Sequence, residues 1–287
     1  MIAGLTFALC NEVLPRTTFA QQCTTAAAMG YDALEVAPFT LANDPLTITD
    51  AQAAELRRTA EDHGVAISGL HWLLVAPQGL SIVSADAAVR ERTMVVMERL
   101  VELCAALGGR YLVHGSPRQR SVPPGDSIAV ARERARECFA RAARRAQACG
   151  VTYCIEPLST RETDFVNTVA DAMGLLEEIG SPALQTMIDC SAAGQVEAEP
   201  VDALMARWMP SGHIAHVQVN DSNRRGPGQG ELAFAPILRT LKRMQQLGHY
   251  RGIVAVEPFD YVPDGPGAAA RAIGYLQGVL EGLDADG

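Results

Sequence analysis

Three carboxylates and one amide interrupt segments of the chain that are otherwise apolar. Glu156 stands in TYCIEPL, Asp189 in TMIDCSA, Gln218 in IAHVQVND and Glu257 in IVAVEPF. An unpaired charge in an apolar core is costly, and one cation bound by all four side chains would be the simplest compensation. A lone glutamine can equally tie down neighbouring backbone, so for Gln218 alone both interpretations stay open.

The donor atoms of this set are all oxygens, three of them from carboxylates. Such hard ligands suit Mg²⁺ or Mn²⁺, with Co²⁺ as an alternative, whereas zinc would be expected to recruit histidine or thiolate. The set therefore predicts that these four side chains bind one hard divalent cation.

Eight short apolar segments alternate with amphipathic segments along the chain. Parallel strands that are covered on both faces appear in a sequence as continuous apolar runs of this kind. The predicted strands are 2–9, 33–39, 66–74, 111–116, 152–158, 186–192, 214–221 and 253–259. The predicted helices are 16–30, 49–64, 84–108, 128–150, 167–180, 200–208, 234–248 and 267–282, several of them ending at a glycine.

Strict alternation of strands and helices in 287 residues predicts an α/β fold. The first strand is not followed by a glycine-rich dinucleotide turn, which favours a closed (β/α)8 TIM barrel over an open doubly wound sheet. We find no linker, so we expect a single domain over 1–287 with a frayed tail over 281–287. Barrels of this type carry their chemistry at the carboxyl ends of the strands. The four oxygen ligands are therefore expected to converge.

Other polar residues end the first four predicted strands. His71 and His114 are candidates to contact substrate oxygens, and hydrogen-bonded barrel histidines are the alternative interpretation. Asn11 and Glu35 are expected only to hold loops, because the ends of the first two strands often do no more than that.

Composition restricts the partners of this protein. The net charge is −9 without a Lys/Arg-rich run, which argues against nucleic acid because an acidic protein repels phosphate backbones. The seven cysteines are scattered without a C-x-x-C pair, as is typical of free thiols in a reducing compartment. The amino terminus lacks a basic segment, and no apolar run is long enough to span a membrane. We therefore expect a cytoplasmic protein without a membrane partner.

Four motifs in order along the chain carry a family resemblance. I-E-P near 156, I-D near 189, H-V-Q-V-N-D…R…P-G-x-G at 216–230 and V-E-P-F at 256–259 resemble the xylose isomerase-like TIM-barrel superfamily. Within it, the chain is most similar to sugar epimerases and isomerases of the tagatose 3-epimerase and hydroxypyruvate isomerase type. The resemblance covers essentially the whole chain. It implies that Glu156, Asp189, Gln218 and Glu257 are the metal ligands.

The resemblance also implies substrate contacts and a substrate class. Glu162 and Arg224 fall where the epimerases contact substrate hydroxyls, with Arg224 facing inward and Arg225 outward. The implied substrate is a keto-sugar or a small hydroxy-carbonyl compound, isomerised or epimerised through a metal-stabilised enediolate. Glu156 and Glu257 are then the candidates that take and return the proton next to the carbonyl. Ketose 3-epimerases usually have histidine in place of Gln218, whereas hydroxypyruvate isomerase-like members carry glutamine. A homo-oligomer that pairs through the helix at 127–149 is a further expectation.

One departure from the pattern leaves the substrate open. The epimerases have a substrate-binding histidine three residues after the aspartate of strand six, and this chain has Ala192 there. That difference argues against a simple free-ketohexose 3-epimerase. The order of action of Glu156 and Glu257 depends on the stereochemistry of the substrate.

Three other functions fit parts of the pattern. A metal-dependent lyase of the inosose dehydratase type would use the same proton abstraction on a keto-sugar or keto-inositol and then expel a leaving group. A non-catalytic sugar-binding barrel is a second alternative. A zinc AP endonuclease is disfavoured: His71 and His114 stand roughly where that branch has zinc ligands, but Ala192 and Gln218 do not suit its three-zinc site.

Overall fold

The computed structural model describes residues 4–285, and its eight strands close into a barrel. They pair in the order β1 to β8, with β8 beside β1, and the pairs whose register is defined are parallel. The strands are β1 Phe7–Cys10, β2 Ala33–Val36, β3 Ala66–Leu70, β4 Tyr111–His114, β5 Thr152–Ile155, β6 Leu184–Asp189, β7 Ile214–Val219 and β8 Val254–Val256. The predicted (β/α)8 TIM barrel is confirmed.

Helices alternate with the strands as predicted, with one addition. They are α1 Phe19–Met29, α2 Asp50–Asp62, α3 Ala87–Ala106, α4 Ile128–Cys149, α5 Val169–Ile179, α6 Cys190–Val196, α7 Val201–Trp208, α8 Phe234–Gln246 and α9 Gly265–Ala285. Helix α6 corrects the prediction that strand six runs to Ala192. The strand ends at Asp189 because its side chain accepts a hydrogen bond from the backbone N–H of Ala192 (2.6 Å) and caps α6.

Local sequence signals explain where the helices begin and end. Helix α5, for example, starts at a capping box in which Thr168 and Asp171 bond to each other's backbone N–H. It ends at Gly180, whose φ of 66° lies in the left-handed region that glycine adopts without a steric penalty. These short-range signals account for the agreement between predicted and observed helix ends.

The chain divides into two compact units. The first unit comprises residues 4–35, 59–67 and 187–285, as far as they are described, and the second comprises 36–58 and 68–186. The core of the first unit includes Phe7, Val217, Val254 and Leu276, all buried. The core of the second includes Leu112, Phe139 and Tyr153. A single domain over 1–287 stays a prediction.

The carboxyl end of the chain is more regular than expected. Helix α9 continues to Ala285, so the tail expected to be frayed over 281–287 is helical through that residue. Residues 286–287 of that tail and residues 2–3 of the first predicted strand lie outside the described part. No helix within 4–285 is both long and apolar enough to cross a membrane.

Candidate active site

In the first unit, three of the predicted ligands stand at the carboxyl ends of β6, β7 and β8, which are neighbours in the sheet. Asp189 is the last residue of β6, Gln218 is the penultimate residue of β7, and Glu257 directly follows β8. All three are buried, with exposures of 4%, 0% and 3%. Together with Glu35, His216 and Asn220 of the same unit, we call them the first-unit cluster.

Asn220 joins the ends of β6 and β8 within this cluster. Its Nδ2 donates to Oδ2 of Asp189 (2.8 Å) and to the backbone carbonyl of Glu257 (3.1 Å). Its Oδ1 accepts from the backbone N–H of Ser191 at the start of α6 (2.9 Å). One fully buried amide therefore fixes a predicted ligand, the backbone of another and the first turn of a helix.

Gln218 is held from its nitrogen side. Its Nε2 donates to Oε1 of Glu35 (2.7 Å), and Oε2 of Glu35 lies 2.8 Å from Nε2 of His216. All three side chains are fully buried. Glu35 was expected only to hold a loop, and it instead contacts a predicted ligand. Asn11, directly after β1, donates its Nδ2 to Oε1 of Gln22 in helix α1 (2.9 Å).

The other end of the Gln218 side chain fits a cation. Its Oε1 is buried and has no hydrogen-bond partner among residues 4–285. A carboxylate only accepts hydrogen bonds, so the amide nitrogen must face Glu35 and the oxygen must face away from it. Leaving a buried acceptor unsatisfied costs about 1–3 kcal/mol, and an oxygen-seeking metal ion would remove that cost.

In the second unit, Glu156 directly follows β5 and is also buried. Gly115, directly after β4, leaves space for this carboxylate, because a Cβ at that position would overlap with Oε2 of Glu156. With Arg120, His114 and Glu162 of the same unit, these residues form what we call the second-unit cluster.

Arg120 is the principal cation of the second-unit cluster. It is fully buried, and its Nη1 donates to the backbone carbonyl of Glu156 (2.6 Å). Its Nε and Nη2 have no hydrogen-bond partner within the described part of the chain. Burial lowers the pKa of Arg120 to about 10, against the opposing charges of Glu156 and Glu162. The guanidinium therefore stays charged at neutral pH beside a predicted ligand.

His114 is a neutral imidazole in the same cluster. Burial, and then the charge of Arg120, lower its pKa to about 3. Its Nδ1 lies 2.7 Å from the hydroxyl of Tyr153, and Phe139 packs edge-on against the ring at 5.0 Å. Its Nε2 is buried without a partner in the described residues. The contact with Tyr153 agrees with the barrel-histidine interpretation, and a substrate contact through Nε2 stays a prediction.

The remaining predicted substrate contacts differ in how deeply they are buried. His71 directly follows β3 and is buried, with its backbone N–H bonded to Val36 (3.1 Å). Glu162 is half-buried and accepts from the hydroxyl of Ser159 (2.8 Å). Arg224 is exposed, and its inward orientation toward a substrate stays a prediction.

The backbone around Arg224 connects the loops after β7 and β8. Its φ of 68° is left-handed, and its carbonyl accepts the N–H groups of Phe259 (2.8 Å) and Asp260 (2.9 Å). Its guanidinium lies over the Phe259 ring, 4.8 Å from the centroid. Arg225 pairs with Asp260 at the surface (3.1 Å), as expected for an outward residue. The side chain of Arg224 therefore extends from a fixed backbone position.

The fold and the order of these motifs identify the family. A family model described as a xylose isomerase-like TIM barrel matches residues 23–279. The chain belongs to this family.

Several proteins similar to this chain are named as epimerases. It is 28% identical over 239 residues to a D-psicose 3-epimerase of Agrobacterium fabrum, covering 81% of this chain and 76% of that protein. It is 24% identical over 238 residues to a probable ketose 3-epimerase of a Synechocystis species, covering 82% and 77% of the two chains. A crystal structure of a D-psicose 3-epimerase in the presence of D-fructose superposes with a TM-score of 0.81 at 21% identity, over 96% of this chain and 99% of that one.

Three residues of this xylose isomerase-like barrel were not assigned from the sequence. Asn220 and His216 were visible as polar residues at the end of an apolar strand, and that pattern is the signal that could have found them. Arg120 lies in the irregular segment SPRQRSVPPG, where an arginine is ordinarily solvated. Its burial is a tertiary property without a local signature.

Proposed function

We propose that this protein is a divalent-metal-dependent sugar isomerase or epimerase that moves a proton next to a carbonyl. The family, and relatives named as ketose 3-epimerases, support a sugar substrate. The observation that carries the proposal is the carbonyl oxygen of Gln218, which is buried, oriented and without a protein partner in the described part of the chain. A metal ligand is the role that best accounts for such an oxygen.

The proposed ligands are Glu156, Asp189, Gln218 and Glu257, with Mn²⁺ or Mg²⁺ as the ion and Co²⁺ as an alternative. Asp189 and Glu257 in the first unit and Glu156 in the second are buried carboxylates, the type of ligand that these ions prefer. The carboxylate of Asp189 accepts a hydrogen bond at each oxygen, and a carboxylate oxygen has a second lone pair with which it can bind an ion. When bound, the ion would polarise the substrate carbonyl and stabilise the charge that develops on it.

Glu156 and Glu257 are the proposed acid–base pair. Each follows its strand directly, and each has its backbone carbonyl fixed by a buried side chain, Arg120 for Glu156 and Asn220 for Glu257. Fixed backbone at both positions limits the movement of the two carboxylates and favours productive geometry for proton transfer. His71, His114, Glu162 and Arg224 are the proposed contacts to substrate oxygens.

A lyase acting on a keto-sugar or keto-inositol is the second candidate, and Ala192 is the observation that keeps it in view. The epimerase pattern has a substrate-binding histidine at this position, and here a buried alanine in the first turn of α6 takes its place. A substrate held differently at that point can lose a β-substituent after the same proton abstraction. The product of isomerisation has the same mass as the substrate, whereas the product of elimination has lost the mass of the leaving group. Product analysis therefore separates the two reactions.

The test combines metal analysis with deuterium exchange. Purified protein would be assayed by NMR in D₂O against keto-sugars and small hydroxy-carbonyls, with Mn²⁺ or with a chelator. We expect exchange next to the carbonyl that requires the metal and falls at least about 100-fold in Glu156→Gln and Glu257→Gln.

Glu178→Gln is the matched control, because Glu178 is an exposed acid paired with Arg132 on the helical surface. It should exchange at the native rate. Native rates in both Glu156→Gln and Glu257→Gln would overturn the catalytic assignment. Exchange that is unaffected by complete removal of metal would overturn the metal dependence.

A further inference from the structure

Glu35, His216 and Gln218 form a fully buried polar chain in the first unit. Glu35 contacts Nε2 of Gln218 through Oε1 (2.7 Å) and Nε2 of His216 through Oε2 (2.8 Å). The thiol of Cys10 also donates to Oε1 of Glu35 (3.6 Å). Burying a carboxylate at the end of β2 is costly, so its presence calls for a role beyond packing.

The role follows from the shape of a glutamine amide. Its oxygen and nitrogen are nearly identical in size, so packing alone does not distinguish the two orientations of the group. A carboxylate does distinguish them, because it accepts from nitrogen and repels oxygen. The contact between Glu35 and Nε2 therefore selects the orientation in which Oε1 of Gln218 points away from Glu35. That oxygen is the one that lacks a partner among the described residues.

We propose that Glu35 is a positioning residue that presents the Gln218 carbonyl oxygen to the metal ion, while its other carboxylate oxygen lies against His216. The proposal rests on the proposed function, since it assumes that Gln218 is a ligand. Outer-shell partners of metal ligands typically change metal affinity by about 10–100-fold when replaced. A glutamine at position 35 keeps the side-chain volume but can present either its oxygen or its nitrogen to Gln218. It therefore no longer selects one orientation of the Gln218 amide.

The first arm of the experiment measures Mn²⁺ affinity directly. Apo-protein would be titrated with Mn²⁺ alone, and the free ion followed by electron paramagnetic resonance, with Tm recorded for each variant. We expect Glu35→Gln to bind Mn²⁺ about tenfold more weakly than the native chain. The control is Asp32→Asn, which also removes one carboxylate but does so at the amino end of β2. There Asp32 accepts a hydrogen bond from the backbone N–H of Phe7 (3.0 Å). Its affinity should stay within about twofold.

The second arm tests the contact without metal. Gln218→Glu places two carboxylates on the 2.7 Å contact and should lower the Tm of the apo-protein by roughly 10 °C. Adding Glu35→Gln to that variant exchanges donor and acceptor across the same contact, so the double variant should recover most of the loss. This arm remains informative if Glu35→Gln alone folds poorly.

The outcomes separate this inference from the proposed function. Weaker Mn²⁺ binding in Glu35→Gln, together with recovery in the double variant, supports the positioning role. A native chain that binds Mn²⁺ while Glu35→Gln binds it equally well overturns the positioning role and leaves the proposed function standing. A native chain that does not bind Mn²⁺ overturns both, and a double variant as unstable as Gln218→Glu shows that Glu35 does not orient residue 218.

Discussion

The two units compensate buried carboxylates in different ways. In the first-unit cluster, Asp189 and Glu35 accept hydrogen bonds from the amides of Asn220 and Gln218. In the second-unit cluster, Glu156 lies beside the fully buried guanidinium of Arg120. An amide orients a carboxylate and leaves its charge in place, whereas a guanidinium also offsets the charge.

This difference predicts that the two clusters respond differently to mutation. A carboxylate whose charge is oriented but not offset is suited to a cation that arrives from solution. A carboxylate next to a permanent cation, such as Glu156 beside Arg120, is already stabilised in its charged form before an ion binds to it. The comparison predicts that removing the arginine harms the protein itself. Removing a carboxylate of the first-unit cluster should instead harm the binding of metal.

Arg120→Met is the largest expected effect. The change keeps much of the side-chain volume but leaves the Glu156 carbonyl without its donor and removes the charge that opposes Glu156 and Glu162. Breaking a buried charge pair in this way costs about 3–5 kcal/mol, which urea unfolding of the apo-protein would measure. Arg132→Met is the control, because its pair with Glu178 is partly exposed and such pairs contribute under about 1 kcal/mol. Equal losses in the two variants would contradict a special role for Arg120.

The next effect is a pH dependence that arises in the second-unit cluster. The pKa of His114 is about 3 in the folded chain, against 6.5 for an ordinary histidine side chain, so the unfolded chain takes up a proton that the folded chain refuses. Stability is therefore complete above about pH 6.5 and decreases as the pH falls toward about 3. Between pH 7 and pH 5 the loss should be about 2 kcal/mol. His114→Gln should remove that part of the pH dependence, as urea unfolding at the two pH values would show.

A native chain and a His114→Gln variant with the same decline between pH 7 and pH 5 would contradict the buried neutral imidazole.

Much of the fold was predictable because its signals are local. The eight strands are continuous apolar runs, and capping residues such as Thr168 and terminal glycines such as Gly180 mark the helices. Several strands end earlier than predicted, and at β6 the reason is visible: Asp189 caps a helix that the residues after it, Cys190–Ala193, gave no reason to expect. The sequence around Asp189 does not reveal that this predicted ligand also caps a helix, because both roles call for the same carboxylate.

The candidate site was predictable only in part. Polar residues on apolar strands, such as Gln218 and Glu257, contradict their surroundings and are therefore visible. Arg120 comes from an irregular loop, and the contact of Glu35 with Gln218 joins residues 183 positions apart. Such pairings depend on tertiary placement, which hydrophobic periodicity does not encode.

The smallest expected effect is also the one that most sharpens the comparison. Glu257→Gln removes one negative charge from the first-unit cluster, where Asp189 and Glu35 are also buried. Less repulsion among these carboxylates should raise the unfolding free energy of the chelated protein by about 1 kcal/mol, because functional sites trade stability for binding. The native chain should in turn gain about 2.7 kcal/mol in Mn²⁺ at a hundred times its Kd, and the variant should gain much less. The two unfolding curves would then exchange order between chelator and Mn²⁺. If Glu257→Gln is instead the less stable protein under both conditions, the carboxylate is a structural partner, and the distinction between the two clusters is lost.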